Sequence, residues 1–274
     1  MKIASFIIAI IAIMATSVVA YDFHVGRQSG LGGTVLLSSP SASEALTCPT
    51  GLLNRCEIIF ETGYQRKYEL SDLNKVFVAA GYRYRNFSAV AGFSQFGKSD
   101  YYTEQLIKSA VTYGYSRFNF SLLVSEKLLK ITGAETKWSL NAAALGLAGG
   151  VNCDKYHLGL VIDNLNQPKL DKNGVADDII YNIYAEIEGS PQFSMTGRAA
   201  FEKNEKPNLS LGQYVRLYQH NALFWGVSNN PLAYGGGFEV KYSHWGLTYA
   251  VEYHPVLGFS HNVSLTFVSG ELLR

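Results

Sequence analysis

The sequence predicts an all-β fold: an antiparallel transmembrane β-barrel of about fourteen strands with a short N-terminal lead-in segment. Three observations predict it. First, segments from about residue 55 onward alternate large apolar residues with small or polar ones, as in Trp245-Gly246-Leu247-Thr248-Tyr249-Ala250-Val251-Glu252-Tyr253. Side chains in a strand point alternately to opposite faces, so such a segment has one apolar and one polar surface. Second, residues 1–20 read as an export signal. Third, hydrophobic residues make up 47% and charged residues 16%, yet mean hydropathy is only +0.03. No segment after the signal offers the roughly 18 continuous apolar residues of a membrane helix. A barrel that mixes lipid-facing and water-facing positions balances in this way.

At the N-terminus, Lys2 supplies a positive start, an apolar run extends from Ile3 to Ala15, and Thr16-Ser17-Val18-Val19-Ala20 ends in small residues. This is the pattern of a secretory signal peptide cut after Ala20. A retained membrane helix is the alternative. Cleavage leaves about 254 residues, enough for one barrel or two small domains. The expected organisation is a signal peptide at 1–20, a periplasmic or lumenal lead-in at 21–54 and a barrel at 55–274. Residues 21–54 carry Gly30, Gly32, Gly33 and the stretch Ser38-Ser39-Pro40-Ser41-Ala42-Ser43, which suggests irregular backbone.

Strands are predicted near 55–64, 74–84, 86–95, 102–115, 117–128, 135–148, 155–164, 178–189, 192–203, 208–218, 221–228, 235–243, 245–254 and 259–268. The count is even, as single-chain bacterial barrels require. Residues 104–110 could also form a helix. One face of these strands carries Phe87, Phe93, Phe118, Leu122, Ile183, Tyr249 and Val263; the other carries Ser88, Asn119, Asn182, Thr248 and Asn262, with Val90, Leu123 and Ile180 as apolar exceptions. Alternation by itself also fits a soluble β-sandwich whose apolar face is a core. Aromatic residues near strand ends (Tyr82, Tyr84, Trp138, Trp225, Trp245, Tyr253) favour membrane girdles. Pro168, Pro191, Pro207, Pro231 and Pro255 all fall between strands, where no ladder N–H is lost. The connection from Asp163 to Asp178 is the one long polar loop.

Two stretches resemble the C-terminal half of the FadL-like outer-membrane barrels, including the PorV/PorQ-type branch. One is Gly235-Gly236-Gly237-Phe238-Glu239-Val240-Lys241 with the strand that follows. The other is His254-Pro255-Val256-Leu257-Gly258-Phe259-Ser260-His261-Asn262-Val263-Ser264-Leu265. Upstream, Pro49-Thr50-Gly51-Leu52 is similar to that family's N-terminal Asn-Pro-Ala-Gly element, and His157 to Leu165 followed by Pro168 looks like its mid-chain strand end. The chain departs from the pattern in ending Gly270-Glu271-Leu272-Leu273-Arg274 rather than on an aromatic residue. The resemblance implies a fourteen-stranded barrel partly plugged by its N-terminal segment, residues 21–54, with Pro49, Thr50, Gly51 and Leu52 as a plug motif. It also implies a bacterial outer-membrane location. In the transporter branch the plug gates passage of hydrophobic solutes; in the other branch the barrel serves protein secretion.

The expected function is therefore a gated channel for small hydrophobic molecules, with outer-membrane lipid and such molecules as partners. The alternatives are a secretion scaffold or shuttle with secretion-system proteins as partners, and a soluble secreted β-sandwich that binds a ligand or surface. A net charge of +1 indicates no nucleic-acid partner. No cofactor, metal or catalytic constellation is expected. The six histidines are scattered, and esterase chemistry would need Ser260 or Ser264 to act with His261. The loop Asp171-Lys172-Asn173-Gly174-Val175-Ala176-Asp177-Asp178 partly matches a calcium loop but lacks its spacing and final Glu. Cys48 and Cys56 flank a turn-like Pro49-Thr50-Gly51, so a disulfide between them is plausible in an oxidising compartment, three free thiols including Cys153 being the alternative. Glu186, Glu188, Arg198, Arg216, Glu239, Lys241 and Glu252 are expected to face the lumen, either as a selectivity path or as paired interior packing.

Overall fold

The computed structural model of the protein describes residues 23–54, 58–98, 102–132, 137–170, 176–218 and 220–269. The signal peptide, Cys56, most of the 171–178 loop and residues 270–274 lie outside them.

Fourteen antiparallel strands close into a barrel. They are β1 (Ile58–Arg66), β2 (Asn74–Tyr84), β3 (Phe87–Lys98), β4 (Tyr102–Tyr115), β5 (Phe118–Thr132), β6 (Lys137–Asn152), β7 (Tyr156–Asp163), β8 (Ile180–Ser190), β9 (Phe193–Glu202), β10 (Asn208–Arg216), β11 (Asn221–Asn229), β12 (Leu232–Tyr242), β13 (Trp245–His254) and β14 (Gly258–Val268). Each strand pairs with its sequence neighbours, and β1 pairs with β14 to close the ring. Closure leaves no edge strand, which overturns the β-sandwich alternative. The helical alternative for residues 104–110 is also overturned: they lie in β4 and pair with β3 and β5 along their whole length. The predicted 235–243 strand begins earlier, at Leu232, because the two-residue turn at Asn230-Pro231 lets pairing resume at once with β11.

The alternation holds through the register. Phe87, Phe118, Phe120, Leu122, Ile183, Trp245, Leu247 and Val263 are exposed on the outside, while Ser88, Asn119, Ser121, Asn182, Thr248, Asn262 and Ser264 are buried inside. The same alternation separates the residues that esterase chemistry would need. Ser260 and Ser264 point inward and His261 points outward, where its Nδ1 lies 2.9 Å from the Tyr249 hydroxyl. A nucleophile and its base cannot meet through the wall.

One rim is made of short turns, such as Arg85-Asn86 and Ser116-Arg117; the other carries the longer connections 67–73 and 164–179. Aromatic residues crowd the short-turn rim: Tyr84, Phe87, Tyr115, Phe118, Tyr242 and Trp245 are all exposed there. β5 and β6 overhang the short β7. The free edge of β6 is completed by Leu165, whose N–H reaches Leu145 O at 2.9 Å, and by Asn166, whose Oδ1 accepts from Leu145 N at 2.9 Å.

An outer wall this apolar has one stable surrounding, hydrocarbon. An arginine placed there tests this. Val263 faces outward at mid-strand in β14. Val263→Arg is expected to destabilise folding into a bilayer by about 2–4 kcal/mol, whereas Val256→Arg, in a turn at 84% exposure, leaves the urea midpoint unchanged. Equal midpoints for the two variants would contradict a lipid-facing wall.

Candidate functional site

Residues 23–54 lie inside the barrel. Local sequence explains their form. Ser41 and Glu44 have the spacing of a capping box: Ser41 Oγ accepts from Glu44 N, and the Glu44 carboxylate accepts from Ser41 N, which starts the helix Ala42–Thr47. A one-turn helix at Arg27–Gly30 and a 3-10 turn at Pro49–Asn54 flank it. Gly32, at φ +69, sits with its Cα against the backbone of Val227. A side chain there would meet Val227 N at 2.7 Å. The expected irregular backbone is thus partly helical.

Apolar side chains of this plug meet apolar side chains of the wall. Val25, Val35, Leu37, Ala45 and Leu46 cluster with Ile59, Phe77, Val90, Leu106 and Leu123. Leu31 and Leu36 cluster with Tyr214, Phe224 and Ala250. Val90 and Leu123, which break the polar pattern of the inner face, do so where the plug covers them.

Three wall carboxylates hold the plug from well-separated strands. On β1, Glu61 accepts from Ser43 N at 2.9 Å and Ser43 Oγ at 2.8 Å. On β8, across the ring, Glu186 accepts from Ser38 N at 2.8 Å and Ser38 Oγ at 2.7 Å. On β12, Glu239 receives Arg27 Nη1 at 3.4 Å, Tyr214 OH at 2.8 Å and Lys241 Nζ at 3.2 Å. Arg27 also binds Glu44 through two nitrogens, Nε at 3.2 Å and Nη2, so its fork links the plug's two helices to the wall. Arg27 is 3% exposed, Glu44 0% and Glu239 7%. Charges this dry persist because they are paired.

The wall accommodates the plug backbone with a row of glycines. Gly212, Gly226 and Gly235 are direct cross-strand partners on β10, β11 and β12. A Cβ on Gly226 would fall 2.2 Å from Leu31 C, one on Gly235 2.5 Å from Gly30 O, and one on Gly212 2.7 Å from Thr34 Oγ1. Only bare backbone allows this approach.

The other expected residues are placed as follows. Arg198 donates from Nε and Nη2 to Asn182 Oδ1 at 3.1 and 2.9 Å, and its Nη1 lies 3.4 Å from His24 Nε2 of the plug. Glu188 lies 3.1 Å from His157 Nε2 at the short-turn rim. Arg216 is half-buried at the same rim, and Glu252 is half-buried beside Gly235. In the plug motif, Pro49, Thr50, Gly51 and Leu52 all lie in the 3-10 turn. Thr50 is fully buried, and its carbonyl accepts from Asn119 Nδ2 at 3.0 Å. Gly51 is needed for close approach: a Cβ would meet Leu37 O at 2.5 Å. Cys48 is a buried thiol 3.4 Å from Thr50 Oγ1. Burial pushes its pKa up to about 11, so it stays protonated. Cys56, its expected partner, lies outside the described residues. So do Asp171 to Val175 of the calcium-like loop; its Asp177 is paired with Lys127. No group of three metal-ligating side chains occurs among the described residues.

Arg27, Glu44, Glu61, Tyr214 and the glycine row were missed from sequence. The Ser41–Glu44 spacing was a legible signal, and so were glycines inside strands.

No protein-family model and no curated protein sequence matches the chain. Solved structures do. The CymD monoaromatic hydrocarbon channel superposes with a TM-score of 0.68 at 11% identity, covering 92% of this chain and 100% of that one. The toluene transporter TbuX of Ralstonia pickettii gives 0.63 at 8% identity, covering 90% and 97%. The shared feature is the fold. At these identities the likeness is one of fold, and the PorV/PorQ-type branch finds no support in it.

Proposed function

We propose that this chain is a channel of the bacterial outer membrane, exported by a cleaved signal peptide, that passes small hydrophobic molecules when its plug moves. The observation that carries the reading is the surface the plug covers. Withdrawal of residues 23–54 would bare Phe77, Val90, Leu106, Leu123 and Phe224, an apolar lining on the inner wall. Such apolar patches favour apolar solutes through their desolvation. Two barrels of the same fold are described as a toluene transporter and a monoaromatic hydrocarbon channel. No covalent chemistry is involved, and the lumen charges act by pairing with the plug and with one another.

The test is flux through liposomes holding the purified barrel. Deleting residues 21–47 removes the Arg27 fork, the Ser38 and Ser43 contacts and the capped helix. Toluene entry into such vesicles is expected to rise at least tenfold over the full chain. An unchanged flux would end the idea that this segment gates.

A further inference from the structure

The outer wall over β4 to β7 has a gap that the fold itself does not require. Gly149 faces outward from β6, between Phe120 of β5 and Leu160 of β7. A Cβ there would meet nothing nearer than Asn119 O at 3.8 Å. Its neighbour Gly150 differs: a Cβ there would strike Thr50 at 2.7 Å. Gly150 is thus explained by the plug, and Gly149 by nothing inside the barrel. Glycine weakens a strand interior and often marks a place where a ligand comes close. Gly149 lies in a shallow, open groove of about 560 Å³ between Val111, Phe120, Leu122, Leu147 and Leu160.

The rim directly below the groove is cationic. The turns below it, joining β4–β5 and β6–β7, carry Arg117 and Lys155, with Asp154 as their acidic residue; Arg85 lies in the next turn along the rim, between β2 and β3. Arg117 O accepts from Asn152 N at 2.8 Å, which sets this turn against the foot of β6, below Gly149. Exposed Tyr115, Phe118 and Tyr156 stand between the cations and the groove. An apolar slot, an aromatic collar and a cationic foot, in that order, complement one class of molecule: an acyl chain joined to a phosphate head.

We propose that this face is a specific phosphoglyceride site, with one acyl chain lying over Gly149 and the phosphate held between Arg117 and Lys155. The inference rests on the membrane reading above but is independent of what the lumen passes. The site would fix a lipid at the rim where the short turns meet the leaflet.

The experiment is native mass spectrometry of the full chain in detergent, titrated with dioleoyl-phosphatidylglycerol. One tightly retained lipid per barrel is expected. Gly149→Leu fills the slot, and Arg117→Gln with Lys155→Gln removes the foot; each is expected to weaken retention at least tenfold while the thermal unfolding midpoint is kept. The charge variant leaves the strands untouched, so loss of binding there cannot be laid to misfolding. Retention equal to the parent in both variants overturns the site. So does displacement of the lipid by toluene with no effect of the charge variant, which would assign the groove to an apolar solute instead. A parent chain that stays soluble without detergent would sink the membrane reading; one that needs detergent yet retains no lipid sinks this site alone.

Discussion

Arg27→Ala is expected to free the plug. The guanidinium is the cation that the fully buried Glu44 faces, and it shares Glu239 with Lys241. Its removal leaves Glu44 with the Ser41 N–H and without the guanidinium that neutralises it. Stranding a buried carboxylate in this way costs about 3–5 kcal/mol. The plug can escape that cost by leaving the barrel, so the loss should show as opening rather than as unfolding of the wall. Protease cleavage between residues 23 and 54 should become fast while the strands remain protected, and toluene flux should approach that of the deletion variant. Glu44→Gln placed on Arg27→Ala is expected to recover part of the protection, because a neutral amide tolerates the dry site. Unchanged cleavage in Arg27→Ala would show that the ionic fork does not hold the plug.

Gly226→Ala should loosen the plug from the opposite direction, by pushing. The added carbon would sit 2.2 Å from Leu31 C and 2.3 Å from Leu31 O, both backbone atoms with no rotamer to yield. Overpacking of this kind costs about 1–3 kcal/mol. The nearby Gly236 is the control: it faces outward, and a Cβ there meets only Phe224 O at 3.7 Å. Gly226→Ala is expected to lower the thermal midpoint and raise flux, and Gly236→Ala to change neither. If the two variants behave alike, the glycine row is incidental to docking.

The two variants act on features that differed in how visible they were before the structure. Gly235 stood in a glycine run whose strand was already legible, so the position was clear but its purpose was not. Arg27 carried no signal. Its carboxylate partners are 17 and 212 residues away, and no local spacing encodes such a meeting. Glu186, Arg198, Glu239 and Lys241 read from sequence as residues of the inner face. That Glu186 and Glu239 bind the plug, while Arg198 mainly braces Asn182, follows from which strands close beside which.

The chain by itself determined the strands, their two faces and their number, because strand period and burial are local properties written residue by residue. Only the tertiary structure decided what fills the barrel. The plug's contacts join residues far apart in sequence, their stability comes from desolvation shared across strands, and a buried charge or a bare glycine is meaningful only once its neighbour across the lumen is in place.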